Sequence, residues 1–144
     1  KPKESLMPEL IKHIDTIARA LERDVLMIAP DSSVPVCEAQ RLWRRSSDRQ
    51  ELINWLDANF IGWEPSGWPP KDGCMESYQG GIYIDLDYDP FEPLCIKLEE
   101  YVKEDAQGIL KWPGMRLYLC SLEWAQQFAH HDKPEYWAEQ AEDI

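Results

Sequence analysis

With 144 residues, of which 44% are hydrophobic and 29% charged, the chain is long enough to bury its own core, which excludes wholesale disorder. Its formal charge of −12 has the wrong sign for gripping a phosphate backbone or an anionic membrane. No apolar run approaches the ~20 residues that span a bilayer.

The charge is unevenly distributed. Residues 1–74 carry 12 acidic and 10 basic side chains (−2), and residues 75–144 carry 15 and 5 (−10). The four cysteines, Cys37, Cys74, Cys95 and Cys120, are too far apart for the paired spacing of zinc or redox motifs. No charged-then-apolar leader opens the chain. The expectation is one globular domain over 1–144, cytoplasmic, with reduced thiols and no cofactor.

In chain order, Met7, Leu10, Ile11, Ile14, Ile17, Ala18 and Leu21 recur at helical spacing, which predicts a helix over Leu6–Arg23. Val25–Ala29 is a continuous apolar run closed by Pro30, as in a strand buried on both faces. Residues 30–40 read as a loop. Arg41, Arg44, Arg45 and Arg49 surround Trp43, a basic patch suited to neutralising acidic residues in the fold or to a homodimer contact. A second helix is expected from Ser47, with Gln50 in capping-box position, a buried face of Leu52, Ile53, Leu56 and Phe60, and Gly62 as its stop. A weak strand near Ile61–Glu64 precedes the Pro- and Gly-rich stretch Trp63–Gly81. Within that stretch Trp68, between Gly67 and Pro69, is the tryptophan expected to be least core-like.

Gly81–Tyr88 predicts a strand with Ile82, Ile84, Leu86 and Tyr88 on one face and Tyr83, Asp85 and Asp87 on the other. Asp89 should open a helix lined by Phe91, Leu94, Cys95, Leu98, Tyr101 and Val102. Met115–Leu119 follows as a strand with Met115, Leu117 and Leu119 on one face. Ser121 should cap a turn carrying Leu122, Ala125 and Phe128. A closing helix is expected from Asp132, with Glu135 as its capping partner. The order β-α-β-β-α-β, flanked by helices, predicts an α+β fold with a ferredoxin-like (βαββαβ) core, an extra N-terminal helix and C-terminal helical segments.

Three readings of function follow. Asp85, Asp87 and Asp89 at two-residue spacing, about 7 Å between neighbours, could hold Mg²⁺ or Mn²⁺ for an enzyme. An EF-hand loop fails, because Pro90 and Ile96 occupy its sixth and twelfth positions. A small-molecule regulatory domain would use the Pro/Gly-rich stretch and Trp68 as a lid. The reading preferred is a non-enzymatic acidic protein, of inhibitor, immunity or nucleic-acid-mimic type, that binds a basic protein and neither nucleic acid nor membrane. Its candidate partner-binding residues are Asp85, Asp87, Asp89, Glu99, Glu100, Glu104, Trp68 and Tyr83, since clustered charge speeds encounter and aromatics supply affinity. His13, His130 and His131 lie in no nucleophile motif.

Overall fold

A computed structural model of the chain describes residues 12–31, 43, 46–69, 80–112 and 114–133. The elements are β1 (Lys12–His13), α1 (Ile14–Leu21), β2 (Val25–Pro30), α2 (Ser47–Ala58), β3 (Gly62–Gly67), β4 (Ile82–Asp85), α3 (Pro93–Val102), β5 (Met115–Cys120), α4 (Leu122–Gln126) and a 3₁₀ turn, Ala129–Asp132. The fold is α+β, with a five-stranded mixed sheet in the order β1-β3-β4-β2-β5. Only the β1–β3 pair is parallel; β3–β4, β4–β2 and β2–β5 are antiparallel.

The alternation of side chains along the central strands divides the core into two layers. Leu26, Ile28, Ile82 and Ile84 point toward α2 and α3, where they meet Leu52, Ile53, Leu56, Cys95, Leu98 and Val102. Val25, Met27, Ala29 and Tyr83 point the other way, toward Ile14, Ile17 and Ala18 of α1 and Ala125 of α4. Helices therefore cover both faces, and all six residues of β2 are buried, as the unbroken apolar run of that strand implies.

Several expectations are corrected. The first helix begins at Ile14, because Lys12–His13 pairs with Ser66 and Gly67 and the Ser66 hydroxyl donates to the Lys12 carbonyl at 2.7 Å. The predicted residues 6–11 lie outside the described part, and Leu21 is 46% exposed instead of core-facing. Ser46, not Ser47, caps α2. Its Oγ accepts from the Arg49 amide at 3.0 Å, while Gln50 instead donates to Asn54.

β4 leaves the ladder at Asp85, where the Leu86 amide turns back to the Ile84 carbonyl at 2.8 Å. Its acidic face is thus shorter than the alternation predicts, and Tyr83 is buried because α1 covers that face. The next helix starts at Pro93 with Glu92 as its cap. Asp89 instead accepts from the Phe91 amide, in a turn that leaves Phe91 outside the core. Leu119, on the edge strand, is 49% exposed. Asp132 closes a 3₁₀ turn and pairs with Arg19; the closing helix expected after it, with Glu135, lies outside the described residues. Ser121 does cap α4, accepting from the Trp124 amide. Among the described residues no helix is long and apolar enough to cross a membrane.

Candidate functional site

The pairing Gly62↔Asp85, with Val25↔Cys120 and Leu26↔Ile84, brings the starts of β2 and β3 and the ends of β4 and β5 to one end of the sheet. Segments 21–24, 57–62, 85–92 and 121–123 gather there. They contain eight carboxylates, Glu22, Asp24, Asp57, Asp85, Asp87, Asp89, Glu92 and Glu123, all exposed, against the single cation Arg23. The same segments hold four of the six large hydrophobic side chains exposed among the described residues: Phe60 at 95%, Phe91 at 85%, Leu21 at 46% and Tyr88 at 37%. Scattered exposed apolar side chains need no explanation, but a concentration at one pole does.

Phe60 is there for a local reason. α2 ends in a Schellman motif: the Ile61 amide donates to the Leu56 carbonyl at 2.9 Å and the Phe60 amide to that of Asp57 at 3.1 Å. The flanking Leu56 and Ile61 are both buried, which fixes the turn. Phe60 takes the left-handed position at φ 59°, the place where glycine is usual. A bulky residue there costs ~1–2 kcal/mol, and a fully exposed phenylalanine recovers nothing from burial. Local rules broken without a folding gain concentrate at functional sites. Phe91 is held outward by the Asp89 carboxylate, which caps its amide at 2.9 Å.

Four of the carboxylates, Asp24, Asp57, Asp85 and Asp89, are braced as well as exposed. Arg23 Nη2 donates to Asp85 Oδ1 at 2.7 Å and to the Tyr83 hydroxyl at 3.2 Å, and that hydroxyl donates to the same Asp85 oxygen at 2.9 Å. Burial, reinforced by the Asp85 contact, pushes the Tyr83 phenol up to about 12. Asp24 accepts from the Leu122 amide and Asp57 from the Trp63 indole N–H, so these two carboxylates are tied to neighbouring elements.

The residues expected to form one site are separated. Asp85, Asp87 and Asp89 all belong to the acidic end, but only Asp85 stays on the ladder. Among the described residues no group of three His, Cys, Asp or Glu side chains could hold a metal ion. Glu99, Glu100 and Glu104 lie farther along α3 and past its end. Burial, with Glu99 and Asp105 adding to it against Arg116, raises the Glu104 carboxyl. Tyr83 is buried, offering only its hydroxyl to Asp85. Trp68 is half-buried, with its ring edge-on to Tyr118 at 4.7 Å and to Trp124 at 6.0 Å, so it is packed more than the sequence implies.

The arginine cluster is described only in part, since Arg41, Arg44 and Arg45 lie outside the described residues. Trp43 is buried and donates through its indole N–H to the Gly80 carbonyl at 2.9 Å, and Arg49 reaches the same oxygen at 3.1 Å. This part of the patch therefore faces into the fold.

Sequence reasoning missed a polar cluster on the α1 face. Asp15, with no exposed surface, receives Arg19 Nη1 at 2.8 Å and lies 3.3 Å from His131 Nδ1. Arg19 also reaches Asp132 at 2.7 Å and the Ala125 carbonyl at 2.7 Å. The i, i+4 spacing of Asp15 and Arg19 was its one visible signal. The cluster ties α1 to the 3₁₀ turn. Nearby Cys120 is pushed up to about 12 by burial and by Asp15, which leaves its thiol un-ionised at neutral pH and a poor nucleophile. Comparison with family models, with curated proteins and with solved structures finds no match for this chain.

Proposed function

We propose that the chain works by binding a basic macromolecular partner, in the manner of small acidic inhibitors, immunity proteins or nucleic-acid mimics. The observation that carries this reading is the joint placement of eight exposed carboxylates and the exposed Phe60 and Phe91 at one end of the sheet. Charge of one sign accelerates encounter with a cationic surface, and aromatics supply affinity once water is expelled. The metal-dependent alternative lacks comparable support, because Asp89 is engaged by the Phe91 amide and Asp85 by Arg23.

The finer description of the fold belongs here too. A ferredoxin-like core is supported by the antiparallel order β3-β4-β2-β5 and by α2 and α3 on one face; β1, α1 and α4 are the additions. The functional test is capture from cell extract at low and moderate salt, followed by kinetics with the purified partner. The reading expects a basic protein whose association slows as salt rises. Recovery only of partners indifferent to salt defeats it.

A further inference from the structure

We infer that the acidic end of the sheet is an anchor site for a cationic polypeptide that carries apolar side chains, with Phe60 and Phe91 as the anchors. This rests on the proposed binding of a basic partner and deepens it by naming the surface and the chemistry of the occupant. Two arguments select that chemistry. The first is the exposure of Phe60 at 95% and Phe91 at 85%, which a purely ionic ligand would leave unused. Such side chains gain most when a partner pocket closes over them. The second is charge complementarity. Among the described residues, eight carboxylates and one arginine lie in the segments that share this end of the sheet with the rings; they repel nucleic acid and anionic lipid, and they equally repel the same end of a second copy of this chain. A polypeptide with both lysine or arginine and leucine-like side chains satisfies both demands. It is the occupant that leaves neither rings nor carboxylates unmatched.

The position of Phe60 provides an unusually clean variant. Glycine is the preferred residue at the left-handed end of a Schellman turn, so Phe60→Gly deletes the ring while relieving the backbone. The probes are three synthetic peptides of equal length: one of lysine and leucine, one of lysine and serine, and one of glutamate and leucine. Binding is read by fluorescence anisotropy at low and at physiological salt, alongside thermal melts of each variant. The lysine–leucine peptide should bind tightest and the glutamate–leucine peptide not at all. Phe60→Gly should weaken the lysine–leucine complex about tenfold while its melting midpoint equals or exceeds that of the unmodified chain.

Equal binding of the lysine–leucine and lysine–serine peptides overturns the inference, as does an affinity unchanged by Phe60→Gly; in both cases the broader reading stands. Failure of any cationic peptide to bind at low salt overturns the broader reading as well. Self-association of the unmodified chain in sedimentation, abolished by Phe60→Gly, would make the occupant a second copy and overturn the chemistry argued here.

Discussion

Removing Arg19 should unfold this protein far more readily than removing its exposed partner. Arg19 is the cation in hydrogen-bond contact with the fully buried Asp15, at 2.8 Å, and its own side chain is only 6% exposed. Arg19→Met fills the space but strands a carboxylate without a neutralising charge, a change that costs about 3–5 kcal/mol. A domain of this kind is stable by about 5–15 kcal/mol, so about a fifth or more is lost. At about 3 °C per kcal/mol for this length the melting midpoint should fall by roughly 9–15 °C. Asp132, at 48% side-chain exposure, makes an equally short contact in a solvent-screened place. Asp132→Asn should therefore cost at most about 1 kcal/mol. The assay is urea denaturation of the two variants and of Asp15→Asn/Arg19→Met. Adding Asp15→Asn removes the stranded charge and should restore about 2 kcal/mol or more of the loss. If Arg19→Met is no worse than Asp132→Asn, the cluster does not hold α1 to the 3₁₀ turn as described.

Stability should also decline in acid. Burial holds the His13 imidazole below its ordinary 6.5, and the Arg19 hydrogen bond holds the Asp132 carboxyl below its ordinary 3.8. In both cases the unfolded chain binds protons more readily, so the stability is present above the ordinary value and is lost as pH falls through the folded one. Urea midpoints should drop below pH 6.5 and again below about pH 4, and His13→Gln should remove the upper step; a flat profile would contradict this.

Gly81→Ala and Gly67→Ala form a matched pair. A Cβ at Gly81 would sit 2.5 Å from the Ser66 carbonyl oxygen, and one at Gly67 meets nothing within 4 Å. The first should cost about 1–3 kcal/mol and the second almost nothing; similar melting points would refute the packing of β3 on β4. In a spectrophotometric titration one tyrosine should ionise at about 12 and vanish in Tyr83→Phe. Loss of a tyrosine titrating near 10 instead would contradict the Arg23–Tyr83–Asp85 network.

Periodicity carried the parts of this fold that depend on one face meeting one core. The run Val25–Ala29 and the helical stripes Leu52–Ile53–Leu56 and Cys95–Leu98–Val102 were legible because burial of apolar side chains decides them. The alternation gives Tyr83 its correct face, opposite Ile82 and Ile84, but not its burial, which depends on α1 crossing from elsewhere in the chain. The two-residue strand Lys12–His13 exists through its pairing with Ser66 and Gly67, which no local pattern announces. The acidic character of the candidate site was legible as charge, yet its shape was not. The alternation carries Asp87 onto a strand that ends at Asp85, and the capping pattern has Asp89 open a helix that begins only at Pro93. Phe60 and Phe91 were assigned to helix interiors, because helical spacing continues through residues that a Schellman turn and an Asp cap remove from the helix. Asp15 was hidden for the opposite reason. A charged residue reads as surface until its partners, Arg19 from one turn on and His131 from the far end of the described chain, are brought to it.

The central claim is that a cationic, partly apolar polypeptide seats on the end of the sheet around Phe60 and Phe91. Hydrogen–deuterium exchange with and without saturating lysine–leucine peptide tests it most directly, because amides report where the peptide sits. The account predicts slower exchange in residues 57–62 and 85–92, with residues 97–104 of α3 and the β5 edge unchanged. Protection confined to α3 or to β5, with 57–62 and 85–92 unaffected, would contradict it.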